Sequence, residues 1–192
     1  MIRLFDILSS FIIILMLSPI LLIVAILVKS TSKGPIFYKD KRVGLDKKIF
    51  FMYKFRSMKV NTQDENSWYT KKNDDRITKI GKFIRETSID ELPQLFNVLN
   101  GDMSLVGPRP ESPFSEKIYS IEYWDSVHLI KPGITGLAQI MGRSSLGLEN
   151  KVKFDLEYTN KIMSLNVVMG ILYNIKILLG TILILINRKG SN

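Results

Sequence analysis

Cysteine is absent from the 192 residues, which excludes disulfide frameworks and thiolate metal sites. Histidine occurs once, at His128, and that argues against a histidine-based metal centre or a Ser-His-Asp triad. Any metal would be held by oxygen. The stretch "KPGITGLAQIMGR" contains Gly133, Gly136 and Gly142 but has neither the Walker lysine-serine spacing nor a G-x-G-x-x-G, so no standard nucleotide-binding loop is present. Acidic residues are outnumbered 18 to 27 by basic ones, a formal charge of +9. An anionic partner is therefore expected, whether lipid headgroups, nucleotide phosphates or nucleic acid. The length suits one domain with a real core and hardly two.

What the chain has in abundance is apolar sequence at its start. Residues 11 to 28 are almost uninterruptedly apolar, near the lower limit of the roughly 17–25 residues that cross a bilayer. No small-x-small cleavage site follows, so a signal peptide is disfavoured. Ser18-Pro19 interrupts the middle of the run, where proline removes a backbone hydrogen bond and bends a helix. Arg3 lies on one flank and Lys29, Lys33, Lys39, Lys41 and Arg42 on the other. Because positive residues prefer the cytoplasmic face, a hairpin that enters and leaves by one face satisfies both flanks. A kinked helix crossing once is the alternative.

From Lys29 to Lys59 there are ten basic residues against Asp40 and Asp46. Beside a membrane segment this reads as contact with anionic headgroups rather than nucleic acid. "GPIFYKDKRVGLDKKIFFMYKFRSM" suggests two short strands around Gly44-Leu45-Asp46. Residues 61 to 75 have little apolar content and read as an exposed loop, a possible cover for a site or a plain connector. Ile77, Ile80 and Ile84 then recur at helical spacing, and Leu92, Leu95, Phe96 and Leu99 form the buried face expected of a second helix, started by Pro93 and ended by Asn100-Gly101.

Asp90 and Glu91 fall at the mouth of that second helix, where the macrodipole should keep both ionised at neutral pH. An ionised carboxylate there can serve as a nucleophile, hold a hard cation such as Mg²⁺ beside phosphates, or simply cap the helix. A glycosidase pair fits poorly, because those carboxyl groups face each other across a sugar at roughly 5–9 Å. Arg109, clamped in "GPRP", presents a planar fork from a stiff loop, suited to gripping phosphate or carboxylate. The glycines at 133, 136 and 142, with Lys131 and Arg143, would permit close backbone approach to an anion. Basic fork, glycine loop and acidic helix mouth together describe a site for a phosphorylated substrate with a divalent metal. A metal-dependent phosphohydrolase, or a basic membrane scaffold without chemistry, would use the same features.

The Ser18-Pro19 break, "GPIFYKDKRVG", "YKFRSM", "GKFIRETSIDELPQLFNVLNGDMSLVGPRP" and "KPGITGLAQIMGR", in this order over about residues 3 to 160, resemble the bacterial sugar transferase family, the monotopic phosphoglycosyl transferases. The resemblance implies an α+β, mostly helical protein: a re-entrant membrane hairpin over residues 1–30, a catalytic domain over 31–160 with a short β-hairpin and interfacial amphipathic helices, and a C-terminal interfacial helix and tail over 161–192. It implies transfer of a phospho-sugar from a UDP-sugar to undecaprenyl phosphate, releasing UMP, as the first membrane step of bacterial glycan assembly. Asp90 would be the nucleophile, through a covalent phospho-sugar intermediate, and Glu91 its partner, the two also holding Mg²⁺. Arg85, Arg109 and Arg143, with Lys54 and Arg56, match positions assigned to phosphate and uridine recognition. The inner membrane, with the catalytic domain on its cytoplasmic face, is the implied location, and the minimal form of the family is the expected one. One departure concerns residues 162 to 186, where members usually have a shorter, more amphipathic helix with an acidic residue at the place of Asn174. The polar breaks Asn166, Asn174 and Lys176 favour an interfacial helix over a second span.

Overall fold

A computed structural model of the chain describes residues 2–60, 74–142 and 146–187. The protein is mostly helical, with two small sheets. Helix α1 (Ile2–Thr31) runs without interruption through Ser18-Pro19. The Ser18 hydroxyl donates to the Leu15 carbonyl at 2.8 Å, one of the side-chain bonds that let a helix tolerate proline.

Two stretches of α1 pack on the globular body, one on each side of Pro19. Ile13 and Ile14, with Phe5, meet the larger core of Met52, Leu95, Val98, Met103, Leu105, Val106, Tyr158 and Ile177. Val24 and Val28 form a second core with Phe55 and Ile84. Polar ties fix both ends as well. Arg3 donates to the Val98 and Leu99 carbonyls, and Asp6 accepts from the Ser104 hydroxyl and the Leu105 N–H. At the other end the buried Arg56 donates to the Val28, Ser32 and Lys33 carbonyls. Between these stretches, from Leu15 to Ile20, only Leu17 is even half-buried.

The expected hairpin is present. Strands β1 (Phe37–Val43) and β2 (Ile49–Phe55) pair antiparallel from Phe37↔Phe55 to Val43↔Ile49. Helix α2 (Lys79–Glu86) begins at Thr78, whose hydroxyl accepts from the Gly81 N–H. Ile77 lies outside it, bridged to Met58. A 3₁₀ turn (Ile89–Glu91) and Pro93 lead into α3 (Gln94–Asn100), which ends at Gly101 with φ +94, the left-handed conformation glycine adopts at low cost.

The face of α3 differs from the apolar pattern. Gln94, Leu95, Asn97 and Val98 are buried, while Phe96 is exposed and Leu92 and Leu99 are half-buried. The cause is Asn97: its carboxamide accepts from the Tyr53 N–H (2.9 Å) and donates to the Phe51 carbonyl (2.7 Å). Backbone groups left unpaired by strand β2 thus turn the helix, because burying them unsatisfied would cost more than exposing one aromatic ring.

Two further strands, β3 (Ser104–Val106) and β4 (Gly133–Thr135), pair in parallel; at three residues each they are too short for alternation to reveal. Helices α4 (Ile121–Val127), α5 (Leu137–Met141) and α6 (Leu148–Ser164) follow. Helix α6 continues through residue 160, so the sequence-based boundary there falls inside an element. The last helix, α7 (Val167–Ile186), turns Gly170, Asn174 and Ile177 inward. Asn174 accepts from the buried Tyr158 hydroxyl at 2.9 Å, and Thr181 bonds Thr135 at 2.7 Å. These positions lie along one stripe, so α7 rests lengthwise on the body with Leu172, Leu179, Ile182, Leu183 and Ile186 exposed. By length and composition α1 and α7 are both apolar enough to cross a membrane. Of the loop expected at 61 to 75, residues 61–73 lie outside the described residues.

Candidate active site

Three stretches far apart in sequence converge. The first is β2, where side chains two apart share a face. Met52 points into the core, and Lys54 follows on the same face to bring its ammonium 2.9 Å from Glu91 Oε1. The second is the 3₁₀ turn, which places Asp90 and Glu91 one turn before α3 rather than at its first turn. Ser88, immediately before it, has φ +58, a left-handed conformation of the kind that costs energy and clusters at functional sites.

The third stretch is the loop Gly107–Glu111. The Gly133 N–H donates to the Pro108 carbonyl (2.9 Å), the Val43 N–H to the Glu111 carbonyl (2.9 Å), and Arg42 to the Pro110 carbonyl (3.1 Å). Arg109 projects from this pinned loop. Its Nη2 lies 2.7 Å from Glu91 Oε1 and its Nη1 3.5 Å from Oε2, a fork-to-carboxylate arrangement. Arg109 thus grips a carboxylate, Glu91, one of the two kinds of partner its fork suits.

The two adjacent carboxylates have different surroundings. Burial alone would raise Glu91, but the charges of Arg109 and Lys54 and their hydrogen bonds hold it well below the usual carboxylate range. Asp90 receives no hydrogen bond among the described residues. Burial, and then the negative charge of Glu91, push it up to about 6 against the opposing charges of Lys54, Arg85 and Arg109. Both acids therefore stay ionised at neutral pH, as the sequence suggests, but the macrodipole is not the cause: α3 starts too late to help Asp90, and a charged neighbour hinders it.

This division suits chemistry. Glu91 is engaged, with both oxygens facing cations, while Asp90 keeps its lone pairs available beside three positive charges that would draw a phosphate towards it. Among the described residues no group of three or more acidic or histidine side chains could cage a metal ion. The donor set fits a Mg²⁺ only in its usual mode near phosphates, with one or two carboxylates and the remaining ligands from substrate and water.

The structure brings Lys54, Asp90, Glu91 and Arg109 together, with the half-buried Arg85 close enough to act on Asp90 by its charge. Arg56 goes elsewhere, buried against the end of α1. Arg143 lies outside the described residues. Gly133 and Gly136 serve the fold: a Cβ on either would lie 2.0 Å from the Gly107 nitrogen or 2.2 Å from its oxygen, so the close approach they allow is that of β3 and its flanking loop. Sequence reading passed over Asn97, Glu111, Lys151 and Asp155. Asn97 had one signal, an amide within an apolar helical pattern; the others had none, since their partners are remote.

Residues 1–188 match the model of a family described as "Bacterial sugar transferase". The chain is 48% identical over 163 residues to a UDP-glucose:undecaprenyl-phosphate glucose-1-phosphate transferase of Klebsiella pneumoniae, covering 81% of this chain and 35% of that protein. It is 39% identical over 204 residues to an undecaprenyl-phosphate galactose phosphotransferase of Salmonella typhimurium, covering 98% and 41%. An N-acetylgalactosamine-phosphate transferase of Aeromonas hydrophila is 40% identical over 156 residues, covering 80% and 37%. The chain thus spans roughly a third to two fifths of the length of these curated relatives.

Proposed function

The chain belongs to the bacterial sugar transferase family, and on that footing we propose that it transfers a sugar phosphate from a UDP-sugar to undecaprenyl phosphate, releasing UMP and opening a glycan assembly. The observation that carries the mechanism is the unequal pair. Glu91 is held by Lys54 and Arg109, while Asp90 has free lone pairs and a charge that persists at neutral pH.

A carboxylate oxygen of Asp90 attacks the β-phosphorus of the UDP-sugar. The bond from that phosphorus to the bridging oxygen breaks and UMP leaves with the electron pair. The sugar phosphate is then an acyl phosphate on Asp90. A phosphate oxygen of the lipid attacks the same phosphorus, the bond from that phosphorus to the Asp90 oxygen breaks, and the Asp90 carboxylate leaves with the electron pair, restored, with undecaprenyl-diphosphate-sugar as product. Lys54, Arg85 and Arg109 offset the charge of two phosphates beside a carboxylate, an electrostatic contribution fixed before reaction. A Mg²⁺ arriving with the diphosphate would supply charge neutralisation on the departing UMP, with Asp90 or Glu91 as the carboxylate at hand.

Such a reaction needs a site at the level of lipid headgroups. The apolar outer faces of α1 and α7 and the basic stretch 29–59 supply affinity for an anionic membrane surface. We read α1 as re-entrant and the body as lying on the cytoplasmic face of the inner membrane, the side that positive flanks prefer. The lengthwise packing of α7 supports an interfacial position. The donor sugar stays open, since the relatives are named for glucose, galactose and N-acetylgalactosamine.

The experiment is incubation of the full chain in detergent with a panel of UDP-sugars and Mg²⁺, without lipid acceptor. The expected result is UMP release no greater than the amount of enzyme, with a phospho-sugar mass on the peptide containing Asp90. Multiple turnover without acceptor would instead mark a phosphohydrolase, and no release with or without acceptor would mark a scaffold.

A further inference from the structure

Away from Asp90, a second group of charges is drawn inward around Lys151 of α6. Its ammonium lies 2.6 Å from Glu111 Oε1, 2.9 Å from the Tyr123 hydroxyl and 3.1 Å from Asp155 Oδ2. Tyr119 donates to Glu111 and Tyr123 to Asp155, both at 3.0 Å. The rings of Tyr119 and Tyr123 flank the ammonium at 5.0 and 5.4 Å. Burial would lower Lys151, but Asp155 and Glu111 outweigh it and push the ammonium up, so it stays charged.

We propose that Lys151 and Glu111 are positioning residues for Arg109, tying the loop that carries it to α6 and so fixing where its guanidinium meets Glu91. The inference rests on the transferase reading above. Gathering two carboxylates and an ammonium out of water adds little stability over apolar packing of the same volume, so what the network contributes is placement. Glu111 is two residues from Arg109, and the intervening Pro110 has a fixed φ, so little slack separates the anchored carboxylate from the presented guanidinium. Among the described residues, nothing in the network bonds to Asp90 or Glu91. Apart from the charge of Glu111 acting on Arg109, its influence on the site runs through the loop.

The test is a double-mutant cycle on the full chain in detergent, reading kcat/KM for UMP release with UDP-sugar and undecaprenyl phosphate. Lys151→Met and Arg109→Lys should each lower it by roughly ten- to a hundredfold, as misplacement of a binding group does. The double variant should fall within about threefold of the poorer single, since both changes remove the same contact. A double variant that loses the product of the two single factors overturns the proposal. Lys151→Met strands two carboxylates and can fail to fold; Glu111→Gln, which keeps volume and an acceptor oxygen, then takes its place in the cycle.

A second measurement does not depend on turnover. With ¹³C-carboxyl-labelled glutamate, NMR should show Glu91 titrating at higher pH in Glu111→Gln than in the wild type, because Arg109 has moved off. Simple loss of the Glu111 charge would shift Glu91 the other way, so an unchanged or lowered titration overturns the positioning role. Wild-type protein that releases no UMP from any donor would sink the transferase reading and leave this arm to decide the proposal alone.

Discussion

With burial and Glu91 holding Asp90 near 6, this carboxylate is about nine-tenths ionised at pH 7 and loses its charge as pH falls. Because attack needs the anion, kcat/KM should show an acid limb near pH 6, well above that of an ordinary aspartate. Glu91→Gln removes the negative neighbour and leaves Lys54 and Arg109 uncompensated, so Asp90 should ionise more readily. The limb should move to lower pH even where the rate also falls; a limb that stays in place would detach it from Asp90. Stability runs in the opposite sense. An acid raised in the folded state contributes stability that is present below its unfolded value of 3.8 and is lost as pH rises through about 6. Asp90→Asn, neutral throughout, should therefore abolish turnover yet melt above the wild type at pH 7, with the two melting points converging near pH 4. An Asp90→Asn protein that melts lower at pH 7 would mean that the carboxylate is held by contacts rather than stranded by burial.

At the scale of elements, α3 and β2 depend on one amide. Asn97 bridges Tyr53, Phe51 and Asp102 from a wholly buried position, and β2 carries Lys54 to Glu91. Asn97→Ala leaves a strand N–H and carbonyl unsatisfied, which should cost about 1–3 kcal/mol for each buried group, visible as a lower denaturant midpoint. Asn97→Leu, which has the same branching and more than fills the space but offers no hydrogen bonds, should do no better, because polar partners rather than space decide the outcome. The same residue shows where sequence legibility ends. Helical spacing located α2 and α3, the Gly-Leu-Asp turn located the hairpin, and "IDELP" and "GPRP" located the acids and the arginine, all local signals of period or stiffness. The face of α3 was misjudged because hydrogen bonds to a strand over forty residues away outvoted an apolar stripe. The parallel pairing of β3 with β4, the Arg109–Glu91 contact and the Lys151 network likewise join remote segments, and no local pattern encodes them. Arg56 reads like Lys54 in "YKFRSM", yet it stands one residue past the end of β2, where the alternation of the strand no longer sets its direction, and its guanidinium turns to the end of α1 while Lys54 reaches the site.

At the scale of the whole molecule, the length of α1 favours a crossing and its attachments oppose one. Thirty helical residues extend about 45 Å, more than the roughly 30 Å of hydrocarbon. Yet Arg3 and Asp6 near one end and Val24, Val28 and Ser32 near the other are tied to the same globular body, and one body cannot stand on both sides of a bilayer. The stretch that leaves the body is Leu15 to Ile20, exposed except at Leu17 and containing Ser18-Pro19. That is where a re-entrant helix would reach deepest, since proline frees a carbonyl and favours a bend. A chain without cysteine allows the arrangement to be read directly. Ile2→Cys and Lys33→Cys, introduced singly, should both react with a membrane-impermeant maleimide from the same side of sealed vesicles, and labelling from opposite sides would establish a crossing. Pro19→Ala restores the missing N–H and should straighten the helix, but the ties at both ends oppose the change. If those ties dominate, the alanine variant keeps same-side labelling, and only combining it with Arg3→Ala and Asp6→Ala, which release the N-terminal end, should bring position 2 out on the far side. Opposite-side labelling by Pro19→Ala alone would show that the proline, and not the packing of the helix on the body, sets the topology.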